Sequence, residues 1–258
     1  MKFYDLNIHP ENLKEAGEII KTAEKLGWHG ICLVEYFNDL NNFKKFSEGV
    51  LNLKKDTALE IFTGAKIKAK NIKDIRKNAR KSLDYADIIF ACGDFNINRE
   101  FQIPEIDVLS YPERGIQRDF NDQKNSGIDH IISKLLAGHK AAYEINFSGI
   151  LDSYGIVRAQ IMGRIIQNIK LSRKYNFLTI FASGAGDMYG MRAPLDFIAV
   201  AKALGMTGTE AKNSVTRNPE KILVKSIDRK NPEVIMEGLE VVDWGEQKPE
   251  GNKMFGWY

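Results

Sequence analysis

Short apolar runs alternate with longer amphipathic stretches along most of the chain, and this alternation restricts the fold more than any other sequence feature. The runs are mostly apolar throughout, as expected of strands buried on both faces of a sheet. The predicted strands are Phe3–His9, Gly30–Tyr36, Glu60–Lys66, Asp87–Cys92, Asp107–Tyr111, Ala142–Phe147 and Phe177–Ala182. Predicted helices lie between them, near residues 11–26, 39–54, 71–84, 127–141, 155–175 and 193–204. Strand–helix repetition of this kind requires parallel strands joined by right-handed crossovers.

The number of strand–helix units favours a closed barrel. Seven units and no GxGxxG after the first strand are typical of a (βα) barrel rather than an open doubly wound sheet. The candidates for an eighth strand are Ile222–Ile227 and Val234–Val242. We therefore predict an α/β fold, a TIM-like (βα) barrel of seven to eight parallel strands, distorted if it is incomplete. The barrel domain is expected over residues 1–229, with a short, irregular and partly flexible C-terminal extension over 230–258.

Composition and the cysteines indicate a cytoplasmic globular protein. Apolar residues make up 43% of the 258 residues, enough for a large core, and no run of about 18 apolar residues could span a membrane. The N-terminal sequence MKFYDLNIHP leads directly into a strand pattern, so a cleaved signal peptide is not expected. Cys32 and Cys92 lie in apolar runs without a CxxC spacing, which is typical of free thiols in a reducing compartment.

Positive charge is concentrated in one segment. The net charge of the whole chain is only +3. The segment 66–81 has eight basic residues and one acidic residue, a charge of +7, so the remainder carries −4. A solvated helix face is the simpler interpretation, but such faces usually mix signs, and this asymmetry favours an anionic partner. The predicted RNA-binding residues here are Lys66, Lys68, Lys70, Lys73, Arg76, Lys77, Arg80 and Lys81.

Further arginines follow the later strands, where a barrel places its functional groups. Arginine binds phosphate in a bidentate manner and stacks on unpaired bases. The sequence has no RNP aromatic pair and no GXXG loop, so we expect contacts mostly with RNA backbone and shape. The additional predicted RNA-binding residues are Arg99, Arg114, Arg118, Arg158 and Arg192.

Two enzymatic alternatives remain open from the residues alone. Asp5, Asn7 and His9 are expected on one side of the first strand, so a metal-dependent phosphoesterase would use Asp5, His9 and Glu35. His9 is the only histidine expected at this rim, whereas hydrolytic metal clusters need several converging ligands, so a hydrogen-bonded rim residue is the simpler interpretation. The second alternative is a phosphate-binding barrel enzyme that uses the small-residue loop at 183–187. The simpler interpretation of this loop is a tight turn that leads into the next helix.

Five segments, in order and spacing, resemble a known family. They are FYDLNIHP at 3–10, NINREF at 96–101, DVLSYPERG at 107–115, GIDHIISKLLAGHKAAYEINFS at 127–148 and ASGAGDMYGMRAP at 182–194. Together they resemble archaeal ribonuclease P protein component 3, the thirty-kilodalton-type subunit family. That family is similar in fold to the polymerase-and-histidinol-phosphatase hydrolases. Asn7 stands where those hydrolases carry the first histidine of a His-x-His, and this implies a barrel that lost metal hydrolysis.

The resemblance implies a subunit of the ribonucleoprotein that removes 5′ leaders from precursor tRNA. It implies that the RNA carries the catalysis with magnesium, and that this chain has neither a catalytic residue nor a cofactor of its own. The implied partners are ribonuclease P RNA, protein component 2 and the other ribonuclease P proteins, with precursor tRNA contacted indirectly and no membrane. The family's motif positions correspond to Asn98, Arg99, Arg114, Arg118, Asp129, Glu144, Asn146, Ser183 and Arg192. Among them we expect Glu144, Asn146 and the helix-capping Asp129 to be architectural.

Overall fold

A parallel sheet of seven strands in chain order forms the centre of the computed structural model. The structure describes residues 1–68, 72–92, 98–99, 103–114, 118–119, 121, 124–236 and 238–245. The seven predicted strands are confirmed. They are β1 (Tyr4–Ile8), β2 (Gly30–Tyr36), β3 (Glu60–Ile67), β4 (Ile88–Ala91), β5 (Val108–Ser110), β6 (Ala142–Asn146) and β7 (Leu178–Ala182).

Helices cover the outside of this sheet, as the crossovers require. The six predicted helices are present, and α5, α8 and α9 are additional. The helices are α1 (Leu13–Leu26), α2 (Leu40–Leu53), α3 (Ile72–Ser82), α4 (His130–Gly138), α5 (Phe147–Leu151), α6 (Gly155–Tyr175), α7 (Pro194–Ala203), α8 (Gly208–Asn213) and α9 (Arg217–Lys230). In the described part of the chain, none of them is long and apolar enough to cross a membrane.

The sheet curls into a nearly closed barrel because β1 and β7 meet at their carboxyl ends. The backbone N–H of Gly184 donates to the carbonyl of Asn7 at 2.9 Å, and that of His9 donates to the carbonyl of Ala185 at 2.8 Å. We call this end, where the carboxyl ends of the strands converge, the barrel mouth.

At the opposite end, a short segment after α8 takes the place of an eighth strand. The N–H of Tyr4 donates to the carbonyl of Val215 at 2.9 Å, and the N–H of Phe181 donates to the carbonyl of Ser214 at 3.0 Å. Neither sequence-predicted candidate for the eighth strand joins the barrel. The first lies in α9, and the second forms a separate antiparallel hairpin of β8 (Val234–Met236) and β9 (Leu239–Glu240).

Helix α9 covers the amino end of the barrel. Ile222 and Leu223 pack into the inner apolar cluster, which also contains Phe90 of β4. The Arg229 guanidinium lies 2.8 Å from the Asp107 carboxylate, and the Lys225 ammonium lies 3.2 Å from it. Burial alone would raise the pKa of Asp107, but these two cations outweigh it and hold that pKa below its ordinary value.

Candidate functional site

The centre of the barrel mouth is a buried lysine. The Lys66 side chain is fully buried at the end of β3, with its Nζ 2.9 Å from Nε2 of His9 and 4.4 Å from the ring centroid of Tyr111. Burial, and then the charge of Lys66, lower the pKa of His9 to about 3, so the imidazole is neutral and accepts from the ammonium. Burial also lowers the pKa of Lys66. The nearby charge of Glu144 acts in the other direction and raises that pKa, but by less.

Glu144 is the anion of this network. It is fully buried at the end of β6 and accepts from Asn7 Nδ2 at 2.6 Å, Ser110 Oγ at 2.5 Å and Asn146 Nδ2 at 2.8 Å. Three neutral donors and the positive charge of Lys66 therefore compensate one buried carboxylate. The architectural role expected of Glu144 and Asn146 is confirmed by these contacts, and Asn146 also caps α5.

An irregularity in β1 changes which side chains face the mouth. Leu6 belongs to the inner cluster but Ile8 packs with the outer helices, and the pairing with β2 shifts register between Asp5 and Ile8. Asn7 and His9 therefore point into the mouth, as their contacts show. The prediction that Asp5 lies on the same side is wrong, because a bulge breaks the alternation on which it relied.

Asp5 instead connects β1 to the end of β7. Its Oδ1 accepts from the backbone N–H of Ser183 at 3.0 Å. The side chain is fully buried, and this burial raises the pKa of Asp5 to about 7 despite that hydrogen bond. Asp5 therefore helps to join β1 to β7 and does not take part in the hydrogen bonds among Asn7, His9, Lys66 and Glu144.

The donor set does not fit a metal centre. Glu35 lies on the same face of β2 as Leu33, which packs on the outer helices, and its carboxylate accepts from the backbone N–H of Tyr36. The Lys66 ammonium lies against the His9 nitrogen that a metal ion would need. Within the described ranges, no three His, Cys, Asp or Glu side chains are placed to hold a metal ion. The three residues of the phosphoesterase alternative, Asp5, His9 and Glu35, are not brought together.

The loop after β7 is also a poor phosphate site, because the backbone amides of Ser183, Gly184 and Ala185 already have acceptors. The N–H of Gly184 donates to Asn7, that of Ala185 to Ser183 Oγ at 3.1 Å and that of Gly190 to Asp187 Oδ1 at 2.9 Å. The loop borders a cleft of about 320 Å³, which we call the acidic cleft. The cleft is lined by Glu11, Glu15, Ser148, Leu151, Asp152, Gly184, Ala185, Gly186, Asp187 and Gly190. Its four carboxylates oppose a phosphate electrostatically.

Helix α3 forms an exposed basic surface. Ile75 and Ala79 are buried against the barrel, which turns the charged side chains outward. We call the set Lys73, Arg76, Lys77, Arg80 and Lys81, all exposed, the basic helix face. Four of these residues, all but Lys81, line a shallow groove of about 410 Å³.

One buried carboxylate orients part of the basic helix face. Glu105 Oε1 lies 2.9 Å from Nε of Arg80 and 3.8 Å from Nε of Arg76. Among the described residues, no carboxylate lies within ion-pair distance of the three lysines of the face. These lysines therefore carry positive charge that the described part of the chain leaves uncompensated.

Lys66 and Lys68, both predicted to bind RNA, differ in their exposure. Lys66 is inside the barrel, because the inward-facing positions of β3 continue to its end. Lys68 follows the strand and is exposed. Lys70 lies outside the described residues. The exposed positive charge thus begins after β3 ends.

Three of the predicted arginines follow β4 and β5, next to α3 around the barrel. Arg99 is exposed and donates to Asp129 Oδ2 at 3.1 Å. Asp129 caps α4, as predicted, by accepting from two backbone N–H groups. Arg114 is exposed and lies 5.5 Å above the ring of Tyr111, and Arg118 is exposed as well.

The other two predicted arginines lie on the far side of the mouth and are occupied by loop carbonyls. Arg158 Nε donates to the carbonyl of Ser153 at 2.6 Å. Arg192 Nη1 donates to the carbonyls of Tyr189 at 2.7 Å and Met191 at 2.6 Å. Both guanidinium groups therefore have a clear role in holding loops.

The sequence did not reveal the contacts of two tyrosines and one buried arginine, although Tyr111 was expected to follow the fifth strand. Tyr36 stacks on His9 with ring centroids 5.4 Å apart, and the ring of Tyr111, with φ of 33°, lies 4.4 Å from Lys66 Nζ. Arg164 is buried on α6 and its Nε donates to Asp119 Oδ1 at 2.8 Å. An arginine within the apolar face of a long helix was the available signal for the last of these.

Comparison with known proteins assigns the chain to a family. The family model described as RNase P subunit p30 matches residues 2–231. The chain belongs to the RNase P subunit p30 family. Ribonuclease P protein component 3 from Methanococcus maripaludis is 30% identical over 236 residues, which covers 88% of this chain and 94% of that protein. The protein of the same name from Methanothermobacter thermautotrophicus is 28% identical over 231 residues, covering 89% and 91%.

Two solved structures are similar to this chain to different extents. A chain in the cryo-EM structure of archaeal ribonuclease P with mature tRNA is 27% identical with a TM-score of 0.78, covering 95% of this chain and 100% of that one. Histidinol phosphate phosphatase from Lactococcus lactis, in complex with zinc, L-histidinol and phosphate, is 12% identical with a TM-score of 0.51, covering 87% and 94%. The second similarity shows the barrel fold alone.

Proposed function

We propose that this chain is the p30-type protein subunit of ribonuclease P and that it contacts the ribonuclease P RNA through the basic helix face. Family membership supports the role as a subunit of the ribonucleoprotein that matures the 5′ ends of tRNA. The exposed, uncompensated lysines of α3 are the observation that carries the RNA contact. Precursor tRNA would then be contacted indirectly, through the assembled particle.

Contact through α3 would be mainly electrostatic. RNA helices present closely spaced phosphates, and a protein that neutralises them releases counterions, so affinity falls steeply with salt. Arg99, Arg114 and Arg118 follow the next two strands and extend the positive surface around the barrel from α3. Lysine side chains recognise charge rather than base sequence, so little sequence preference is expected.

Catalysis is assigned to the RNA with bound magnesium rather than to this chain. In the mouth, Lys66 is buried and donates to His9, and Glu144 accepts three hydrogen bonds, so these groups stabilise one another. The chain would act by positioning or folding the catalytic half of the RNA. The reducing environment suited to the free, buried thiols Cys32 and Cys92 is consistent with a cytoplasmic particle.

Protein component 2 is the proposed protein partner. A single exposed stripe of charge gives weak RNA binding by itself, and a second protein adds contact area and fixes the orientation. We expect weak RNA affinity for the isolated chain and much tighter binding for the pair.

Reconstitution tests this function. Cleavage of precursor tRNA by ribonuclease P RNA and protein component 2 would be measured at moderate magnesium, once with this chain and once without it. The charge-reversal triple variant Lys73→Glu, Lys77→Glu, Lys81→Glu should lose most of the stimulation that the native chain gives. Its plot of log affinity against log salt should become shallower by about 2 to 3, since each phosphate contact contributes about 0.7 to 0.9.

A matched control separates the α3 contact from net charge. The variant Lys14→Glu, Lys21→Glu, Lys25→Glu makes the same charge change on three exposed residues of α1 and should retain the stimulation. Equal loss in both variants would contradict a contact through α3. No stimulation by the native chain, with RNA and component 2 shown to be active, would overturn the subunit function itself.

A further inference from the structure

Opposite the basic helix face, the mouth carries an exposed apolar corner where α5 joins α6. It consists of Leu151, Tyr154, Ile156 and Val157, of which Tyr154 and Ile156 are 77% and 78% exposed. Single exposed apolar residues are ordinary, but these four lie within seven positions and concentrate apolar surface at one turn of the chain. Such patches on soluble proteins are typical of interaction sites.

The apolar corner is held in a fixed shape. Arg158 donates from Nε to the carbonyl of Ser153 and from Nη2 to the carbonyl of Leu151 at 3.2 Å, and its guanidinium lies 5.2 Å from the Tyr154 ring centroid. Because the corner is already ordered, a partner would not bear the entropic cost of ordering it.

The acidic cleft adjoins this corner, since Leu151 belongs to both. Glu11, Glu15, Asp152 and Asp187 line the cleft and no basic side chain does. Four carboxylates repel RNA phosphate and attract a cationic side chain. The charge therefore selects against RNA on this side of the barrel and in favour of a protein.

We propose that the apolar corner and the acidic cleft together form a docking surface for another protein of the ribonucleoprotein. The occupant is a protein segment with an apolar anchor for the corner and a lysine or arginine for the cleft. This inference rests on the proposed function, because it takes the partner to be another ribonuclease P protein. It also gives the barrel two sides, with RNA on the β3–β5 side and protein on the β6–β7–β1 side.

Site-specific photo-crosslinking in the reconstituted holoenzyme tests the docking surface. p-Benzoylphenylalanine would replace Val157 in one preparation, Lys77 in a second and Val224, a half-exposed residue of α9, in a third. The adduct at 157 should be a protein peptide that contains lysine or arginine, and the adduct at 77 should be RNA. An RNA adduct at 157, or a yield no greater than at 224, would overturn the proposal.

A pair of variants supplies an independent measurement. Ile156→Asn with Val157→Asn, and Glu11→Lys with Asp152→Lys, should each weaken incorporation of this chain into the holoenzyme at least tenfold. Val224→Asn with Ile227→Asn, and Glu18→Lys with Glu48→Lys, make the same changes at exposed sites elsewhere and should leave incorporation within twofold. Circular dichroism melting would verify that all variants fold, and unchanged incorporation of both test variants would contradict the docking surface.

Precursor-tRNA cleavage in the same reactions separates the two proposals. If the native chain stimulates cleavage but the 157 adduct is not a protein, the function stands and the docking surface fails. If the native chain does not stimulate cleavage, the function fails, whatever the adduct at 157.

Discussion

Lys66 shows how one residue can determine the chemistry of the whole mouth. A lysine at the end of a barrel strand is normally available to a ligand, but this one is covered by Tyr111 and donates to a neutral His9. Its charge also compensates the buried Glu144. Removal of one member of a buried charged network leaves the others without compensation, and this is the costly event in such networks.

Replacement of Lys66 by methionine should therefore destabilise the fold. We expect Lys66→Met to lower the free energy of unfolding by about 3 kcal/mol, because Glu144 loses its compensating charge. Lys68→Met, at an exposed position two residues later, should change it by less than about 0.5 kcal/mol. Urea unfolding of both variants measures this, and equal stabilities would contradict a buried charge network.

Two buried acids should make stability depend on pH near neutrality. Burial raises the pKa of Asp5 to about 7 and that of Glu113 to about 8. A carboxyl whose pKa is raised by folding stabilises the fold fully below its ordinary pKa of about 4, and this contribution is lost as pH rises through the folded-state pKa. The free energy of unfolding should thus fall between about pH 5 and pH 8.5.

The double variant Asp5→Asn, Glu113→Gln tests the assignment of that pH dependence. Both replacements keep an oxygen acceptor but cannot ionise, so the decline toward pH 8.5 should be much smaller. Chemical unfolding at a series of pH values provides the comparison. A decline as steep as in the native chain would show that other groups are responsible.

At the scale of single elements, backbone geometry decides what the local sequence leaves open. The bulge in β1 brings Asn7 and His9 into the mouth and turns Asp5 away. The turn at Gly127 holds φ at +77°, and its carbonyl accepts from Asn98 Nδ2 at 3.0 Å. Both features position residues of the motifs that carry the family resemblance.

Gly127→Ala should be strongly destabilising. The added Cβ would lie 2.1 Å from the Pro112 carbonyl oxygen, and the positive φ is itself unfavourable for alanine. We expect a loss of at least about 2 kcal/mol in the free energy of unfolding. Gly17→Ala, within α1 and with nothing near its added Cβ, should be neutral or stabilising by up to about 1 kcal/mol. Thermal melting compares the two, and similar changes would contradict the packing described at Gly127.

At the scale of the whole molecule, α9 closes one end of the barrel and the charge distribution distinguishes its surfaces. α9 inserts apolar side chains into the amino end, where the segment 214–215 substitutes for an eighth strand. The basic helix face follows β3, whereas the carboxylates of the acidic cleft follow β1, β6 and β7. The first feature closes the core, and we propose that the second provides separate surfaces for RNA and for protein.

Two neighbouring residues of α9 test whether this helix closes the amino end of the barrel. Leu223 is buried in the inner cluster and Val224 is half-exposed. Leu223→Asp should abolish cooperative unfolding or cost more than about 3 kcal/mol, because it buries an uncompensated carboxylate. Val224→Asp should cost less than about 1 kcal/mol. Equal effects in denaturant unfolding would show that α9 does not close the barrel.

The sequence by itself determined the seven strands, six of the helices and the concentration of positive charge in and around α3. These are local properties, since strand burial, helical period and charge are all read within about a dozen residues. The resemblance of five segments gave the family. The positions of Glu144 and Asn146 at a strand end and of Asp129 before a helix gave their architectural roles. Asn7 in place of a histidine already argued against a metal centre.

Only the tertiary structure decided the burial of Lys66, the direction of Asp5, the plug made by α9 and the separation of the two charged sides. Each depends on residues far apart in sequence: Glu144 lies 137 positions from Asn7, and Arg229 lies 122 from Asp107. Side chains alternate between the two faces of a regular strand, and this alternation predicted one side for Asp5, Asn7 and His9. The prediction failed because the pairing of β1 with β2 shifts register between Asp5 and Ile8. Long-range pairing and closure thus fixed what local periodicity could not, because burial and electrostatic compensation are properties of the folded barrel as a whole.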